Sequence, residues 1–220
     1  MKDKQSALTD VLARIGINYD RTPGLLPVLT QCTECPEIEK IDHITFVCPP
    51  EERSNFLDRW KTRGFDHHGL WQTNRYPASH IALVSGKKEG YPWSDMVGLS
   101  VTDIRPKIGN RPLDITIKPS DTDQTQHVAF NVNADADVEA LYAKMLNDWQ
   151  LDFMTPVLYY NDKFGAGLRQ WFTAPVDGFF IEFVQRIPNA QGEPYSGFDP
   201  DIIDDLYEAL DFRMASAKAS

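Results

Sequence analysis

The stretch IDHITFVCPPEERSNFLDRWKTRG, residues 41–64, sets the frame for the whole chain. IDHITFV reads as a strand, rich in β-branched and aromatic side chains. The rest reads as a helix, with proline at its start, acids in its first turn, Phe56, Leu57 and Trp60 on one face and Gly64 as its stop. Further strands are expected at HIALVSG (80–86), MVGLSVTDI (96–104) and PLDITIKP (112–119). The same order then recurs. QHVAFNV (126–132) reads as a strand, and ADVEALYAKMLNDWQ (136–150) as a helix with Val138, Leu141, Tyr142, Met145 and Trp149 at helical spacing. TPVLYY (155–160), LRQWFT (168–173) and FFIEFV (179–184) read as strands.

An internal repeat outranks any single motif as a guide to architecture. The chain is therefore expected to be α+β, with two βαβββ modules forming one cupped mixed sheet. The first module is placed at 41–119 and the second at 120–220. The second ends in a helix, DPDIIDDLYEAL (199–210), with Asp199 as N-cap and Pro200 at the first helical position. Residues 1–40 should supply a short amphipathic helix through Leu8, Val11, Leu12 and Ile15. An irregular lead-in rich in Pro and Gly follows, and the ordered core is expected to begin near Ile41.

Composition narrows the partners. Of 220 residues, 22 are Lys or Arg and 32 are Asp or Glu, a net charge of −10 with no basic run, which argues against nucleic acid and anionic membranes. No apolar run of about 18 residues occurs, and the N-terminus lacks the apolar core of a signal peptide, so a cytoplasmic location is expected. Cys32 and Cys35 form a CxxC pair, but no second pair follows, and Cys48 leaves an odd count. Ordinary reduced thiols fit this pattern better than zinc or redox chemistry.

The repeat places polar residues at matching positions. His43 is the third residue of one first strand, His127 the second residue of the other, and Glu182 interrupts the apolar last strand GFFIEFVQR (178–186). A carboxylate in such a strand needs a cation beside it. Taken singly, a strand histidine is more often a hydrogen-bonded core residue and a strand glutamate is more often paired with arginine. If the modules join in one curved sheet, the three side chains meet in its concavity. Two imidazoles and one carboxylate form the facial triad of non-haem Fe(II) oxygenases, with coordination positions left for substrate and dioxygen.

The order DHITF, QHVAF, FFIEFVQR resembles the vicinal oxygen chelate superfamily, built from paired βαβββ modules. More narrowly, LRQWFTAPVDGFFIEFVQR (168–186), followed by SGFDPDIIDDLYEAL (196–210), is similar to the C-terminal half of the 4-hydroxyphenylpyruvate dioxygenase and hydroxymandelate synthase family. The resemblance is strong over 164–186 and weak over 41–212. It implies His43, His127 and Glu182 as iron ligands and Gln170 as a catalytic, substrate-orienting amide. Phe172 and Phe180 would exclude water from the pocket, and Phe198 with the helix after it would form a lid. The implied activity is an Fe(II)-dependent dioxygenase that oxidatively decarboxylates a small 2-oxo acid or acts on a vicinal-oxygen substrate, with that small molecule and dioxygen as partners. Members of this fold also use Mn, Zn, Ni or Mg, and homodimers are an assembly the resemblance leaves open. The family's enzymes carry a further N-terminal pair of modules, and Gly98 stands here where the family's pattern suggests serine.

Asp114 offers a competing reading. If it occupies in the first module the place Glu182 takes in the second, the site becomes His, Asp, His, Glu, which resembles the glyoxalase and epimerase branch, where a divalent metal acts as a Lewis acid. A non-catalytic member that binds a small molecule is the alternative from another class. DHH (66–68) puts neighbouring histidines on opposite faces of an extended segment, His80 reads as a polar strand start, and KFGAG (163–167) reads as a tight turn.

Overall fold

Two units of strand, helix and three strands follow one another and meet at their first strands. The computed structural model describes residues 4–48, 52–63, 65–72, 80–85, 98–103, 107–108, 111–112, 124–195, 201, 204–206 and 208–209. The first unit contains β1 (Ile38–Cys48), α3 (Arg53–Thr62), β2 (Asp66–Gln72), β3 (His80–Ser85) and β4 (Gly98–Asp103). The second contains β7 (Gln124–Val132), α4 (Val138–Asn147), β8 (Leu158–Asn161), β9 (Gly167–Phe172) and β10 (Phe180–Ile187). Between them lies a two-stranded ribbon, β5 (Lys107–Ile108) with β6 (Arg111–Pro112). Ahead of both come α1 (Lys4–Ile15) and α2 (Leu25–Glu34).

Among the described residues the sheet has eight strands in the order β2-β3-β4-β1-β7-β10-β9-β8. Each unit thus donates its first strand to the centre. β1 and β7 pair antiparallel, while each pairs parallel with the last strand of its own unit, β4 or β10. This is the expected α+β architecture, with one strand that was not expected, β2. The three strands after α3 begin at Asp66, not at His80, and of the anticipated strand PLDITIKP the described residues include Pro112 alone, in β6. β2 carries Asp66, His67, His68, Gly69 and Gln72, a composition that hides a strand; as the terminal strand of the sheet it is an edge, where polar side chains are admitted.

The N-terminal segment also differs from the expectation. Much of the lead-in expected to be irregular is helix α2, because Gly24 takes the left-handed conformation (φ 82°) ahead of Leu25 and Pro27 falls in the first turn, where backbone N–H groups have no helical partner. Leu25, Val28, Leu29 and Cys32 are buried on its inner side. They share one core with Leu8, Leu12 and Ile15 of α1, with Ile38, Ile41, Ile44 and Phe46 of β1, and with Phe179, Ile181 and Phe183 of the second unit. The ordered core therefore begins well before Ile41. No described helix is long and apolar enough to cross a membrane.

A β-bulge at Asp42 decides which side chains reach the other face. Opposite Phe130 and Ala129 of β7 stand Ile41 and His43, so Asp42 is the extra residue. Ile41 and Ile44 consequently both face the helices despite their odd spacing, and adjacent Asp42 and His43 meet side chain to side chain away from them. Leu12 is fully buried where the N-terminal helices meet the sheet. Leu12→Ala is expected to cost about 2–5 kcal/mol of stability in urea denaturation; an unchanged midpoint would show that the N-terminal helices are not part of the common core.

Candidate metal centre

The central strands carry the site. His43 lies on β1; His127 lies on β7 opposite Thr45 of β1 and Phe180 of β10; Glu182 lies two residues further along β10, opposite Ala129. Their relative exposures are 0%, 4% and 1%. His43 Nε2 is 3.1 Å from His127 Nε2 and 3.2 Å from Glu182 Oε2, and His127 Nε2 is 3.1 Å from the same oxygen. Three donor atoms thus form a nearly equilateral triangle. Such edges match one face of an octahedron whose centre is about 2.2 Å from each corner, close to usual metal–nitrogen and metal–oxygen lengths. Among the described residues, this His–His–Glu group could hold a metal ion.

Each corner is held differently. His43 Nδ1 donates to Asp42 Oδ1 at 2.7 Å, which turns Nε2 toward the triangle. Arg186 grips Asp42 with two parallel bonds, Nε to Oδ2 at 2.8 Å and Nη2 to Oδ1 at 2.9 Å. Its Nη1 donates to the Tyr195 carbonyl at 2.9 Å. Gln170 Nε2 donates to Glu182 Oε1, so one carboxylate oxygen is occupied and the other faces the histidines. His127 stacks on Phe180, with ring centroids 4.7 Å apart at 26°, and Phe172 meets Phe180 edge to face. Thr45 Oγ1 is 2.8 Å from His127 Nε2. His127 Nδ1 and Gln170 Oε1 are buried and have no hydrogen-bond partner among the described residues.

Burial opposes every charge in this cluster, and the partners decide the outcome. Burial pulls the His43 pKa down, but the Glu182 carboxylate and the bond to Asp42 raise it to about 9. Burial pushes Glu182 up, yet His43 and the hydrogen bond from His127 hold it at about 2. Asp42 stays well below the carboxylate range: burial is outweighed by Arg186 and His43. His127 goes the other way, because burial dominates and lowers it. Without a metal the balanced state is a cationic His43 with hydrogen on both nitrogens beside a neutral His127.

Of the residues anticipated from sequence, His43, His127, Glu182, Gln170, Phe172 and Phe180 come together here. Phe198 and Asp114 lie outside the described residues. The register shows, however, what stands in the first unit where Glu182 stands in the second: β4 places Gly98 opposite His43 and Ser100 opposite Thr45, as β10 places Phe180 opposite His127 and Glu182 opposite Ala129. That place belongs to Ser100. The turn at KFGAG has Asp162 Oδ1 accepting from the N–H groups of Phe164 and Ala166, with Gly165 at φ 86°. Cys32 and Cys35 are buried free thiols.

Asp42, Arg186 and Thr45 were not anticipated. The signal for the first two was available: Arg186 follows Glu182 at a spacing that puts both on one side of a strand, and a buried cation asks for an anion just as Glu182 asks for a cation.

No protein-family model matches the chain, and no curated protein does. Among solved structures, a mutant of 4-hydroxymandelate synthase from Streptomyces coelicolor matches with a TM-score of 0.56 and 18% identity over 81% of this chain and 56% of that one. A xylose isomerase-like TIM barrel/4-hydroxyphenylpyruvate dioxygenase fusion protein matches with 0.56 and 17% identity over 80% of this chain and 30% of that one. Methylmalonyl-CoA epimerase from Mycobacterium tuberculosis matches with 0.43 and 15% identity over 68% of this chain and 89% of that one. The chain spans little more than half the length of the first of these structures. With the first two likenesses, the eight-stranded sheet of two joined units is the vicinal oxygen chelate fold.

Proposed function

We propose that this chain is a non-haem Fe(II)-dependent dioxygenase of the 4-hydroxyphenylpyruvate dioxygenase type, acting on a small acid that chelates iron through a 2-oxo carboxylate or vicinal oxygens. The observation that carries the reading is the count of donors. Three protein atoms form one triangular face, and among the described residues no fourth histidine, cysteine or carboxylate joins them. Such a set leaves adjacent positions for a bidentate substrate and dioxygen.

Iron bound there supplies the redox chemistry that activates dioxygen toward a chelating acid. The chain's residues do the rest. His43, His127 and Glu182 hold the ion, and Gln170 keeps Glu182 from chelating with both oxygens. Phe172 and Phe180 close the apolar side and exclude water. Charge favours an anionic substrate: Asp42 and Glu182 are anionic and Arg186 is cationic, so a dication with two neutral histidines leaves the buried site one positive charge in excess. A monoanionic 2-oxo acid cancels it in a low-dielectric cavity.

The test is reconstitution with Fe(II) under anaerobic conditions, followed by metal analysis and an oxygen-electrode screen of 2-oxo acids. About one iron per chain, lost in Glu182→Ala, together with substrate-dependent oxygen uptake, is the expected result. No iron in either protein would overturn the metal centre. Iron without oxygen uptake for any chelating acid would move the chemistry to Lewis-acid catalysis.

Metal and proton compete for His43, and the sign follows. A raised histidine pKa contributes stability that is complete below its unfolded value of about 6.5 and is lost as pH climbs through about 9; the depressed Glu182 contributes stability that is lost as pH falls from about 4 toward 2. The lowered His127 works against this at low pH, since it takes up a proton on unfolding below about 6.5, so the metal-free protein should melt highest at about pH 6.5 and lose several degrees by about pH 9. Added metal should stabilise it more at pH 8 than at pH 6, because binding displaces the His43 proton. Calorimetry with and without chelator checks both; a metal-induced shift independent of pH would contradict the proton on His43.

A further inference from the structure

We propose that Arg186, acting through Asp42, is the positioning residue that fixes the ring of His43 and thereby sets the metal affinity of the site. The inference rests on the metal-centre reading above and adds to it a division of labour between the two histidines.

Geometry supplies the chain of contacts. The planar guanidinium of Arg186 holds both oxygens of Asp42 at 2.8 and 2.9 Å, so the carboxylate cannot rotate without breaking a bond. One of those oxygens also accepts from His43 Nδ1 at 2.7 Å. That bond fixes which nitrogen carries hydrogen, and it aims Nε2 at His127 and Glu182. The third arm of the fork is anchored to the Tyr195 carbonyl, outside the central strands. Arg186 is 8% exposed and Asp42 is fully buried, so water does not loosen the arrangement.

Packing does not account for it. A buried ion pair is often no better for stability than apolar residues of the same volume, and the bulge at Asp42 interrupts a central ladder. Both local costs converge on one atom, Nδ1 of His43. His127, by contrast, spends no charged group on its Nδ1, which has no hydrogen-bond partner among the described residues; the face of Phe180 orients the ring instead. His43 is thus the fixed corner and His127 the adjustable one. Because β10 carries both Glu182 and Arg186, one strand supplies the third donor and the support of the first.

The experiment compares wild type with Arg186→Met, Arg186→Lys, Asp42→Asn and, as a control, Tyr159→Phe, at an exposed residue of β8 that loses only a bond to Glu139 of α4. Co(II) affinity is read by competition with a chromophoric chelator, the ligand geometry by the d–d absorption of the Co(II) protein, and folding by circular dichroism of the metal-free form. Folded Arg186→Met should bind Co(II) about 10- to 100-fold more weakly with an altered d–d band. Lys keeps the charge but not the fork and should fall between. Tyr159→Phe should bind as wild type does. If Arg186→Met does not fold, Asp42→Asn, which keeps the volume, carries the test. Wild-type affinity and spectrum in folded Arg186 and Asp42 variants would overturn the proposal while leaving the metal centre intact. Failure of wild type itself to bind Co(II) would overturn both.

Discussion

The constraint on which the rest depends is Glu182, a carboxylate at 1% exposure in a strand buried along almost its whole length. Its neighbours on one side of the sheet, Ile181 and Phe183, belong to the main core, so that side offers no partner. Whatever balances the charge must come from the opposite face. The parallel pairing of β10 with β7 puts His127 beside it, and the antiparallel pairing of β7 with β1 brings His43. A sheet that joins two units by their first strands therefore does more than complete a fold. It delivers two imidazoles to one acid.

The two units are alike in topology and unlike in chemistry, and the differences bear on function. Matching first strands provide matching histidines, but the matching last strands provide Glu182 on one side and Ser100 on the other. A second carboxylate at that place would add a donor to the two imidazoles and Glu182. The bulges that shift the pairing of β1 with β7 break the symmetry again, since the extra residue at Asp42 gives His43 a hydrogen-bonded support that His127 lacks.

Much of this was legible in the chain because periodicity survives wherever a strand or helix buries one face. Helix α4 announced itself through Val138, Leu141 and Met145, all of which are buried, and the second unit matched its anticipated elements closely. β2 was hidden by its polar edge composition. α2 was hidden by Gly24 and Pro27, which mark turns in general and a helix start in this position. The bulge at Asp42 left no trace that alternation could reveal, since alternation is what a bulge disrupts. Arg186 was visible as a residue but not as a partner: two positions 144 apart in sequence become neighbours only once the order of strands is known.

Ion choice can be argued from the same geometry. Gln170 occupies one oxygen of Glu182, so the carboxylate presents a single donor, and the triangle it forms with two imidazole nitrogens has edges of 3.1–3.2 Å. Calcium takes six to eight oxygens at about 2.3–2.6 Å and would find too few and too close. Magnesium prefers oxygen donors and retains its waters, so two nitrogens are a poor offer. Imidazole suits zinc, copper, iron and nickel. Among these, tetrahedral zinc would use the open side for one ligand, whereas an octahedral ion opens a whole face. The triangle thus suits an octahedral ion of the imidazole-binding group, and it follows from the burial of Glu182, which brings both histidines to one acid.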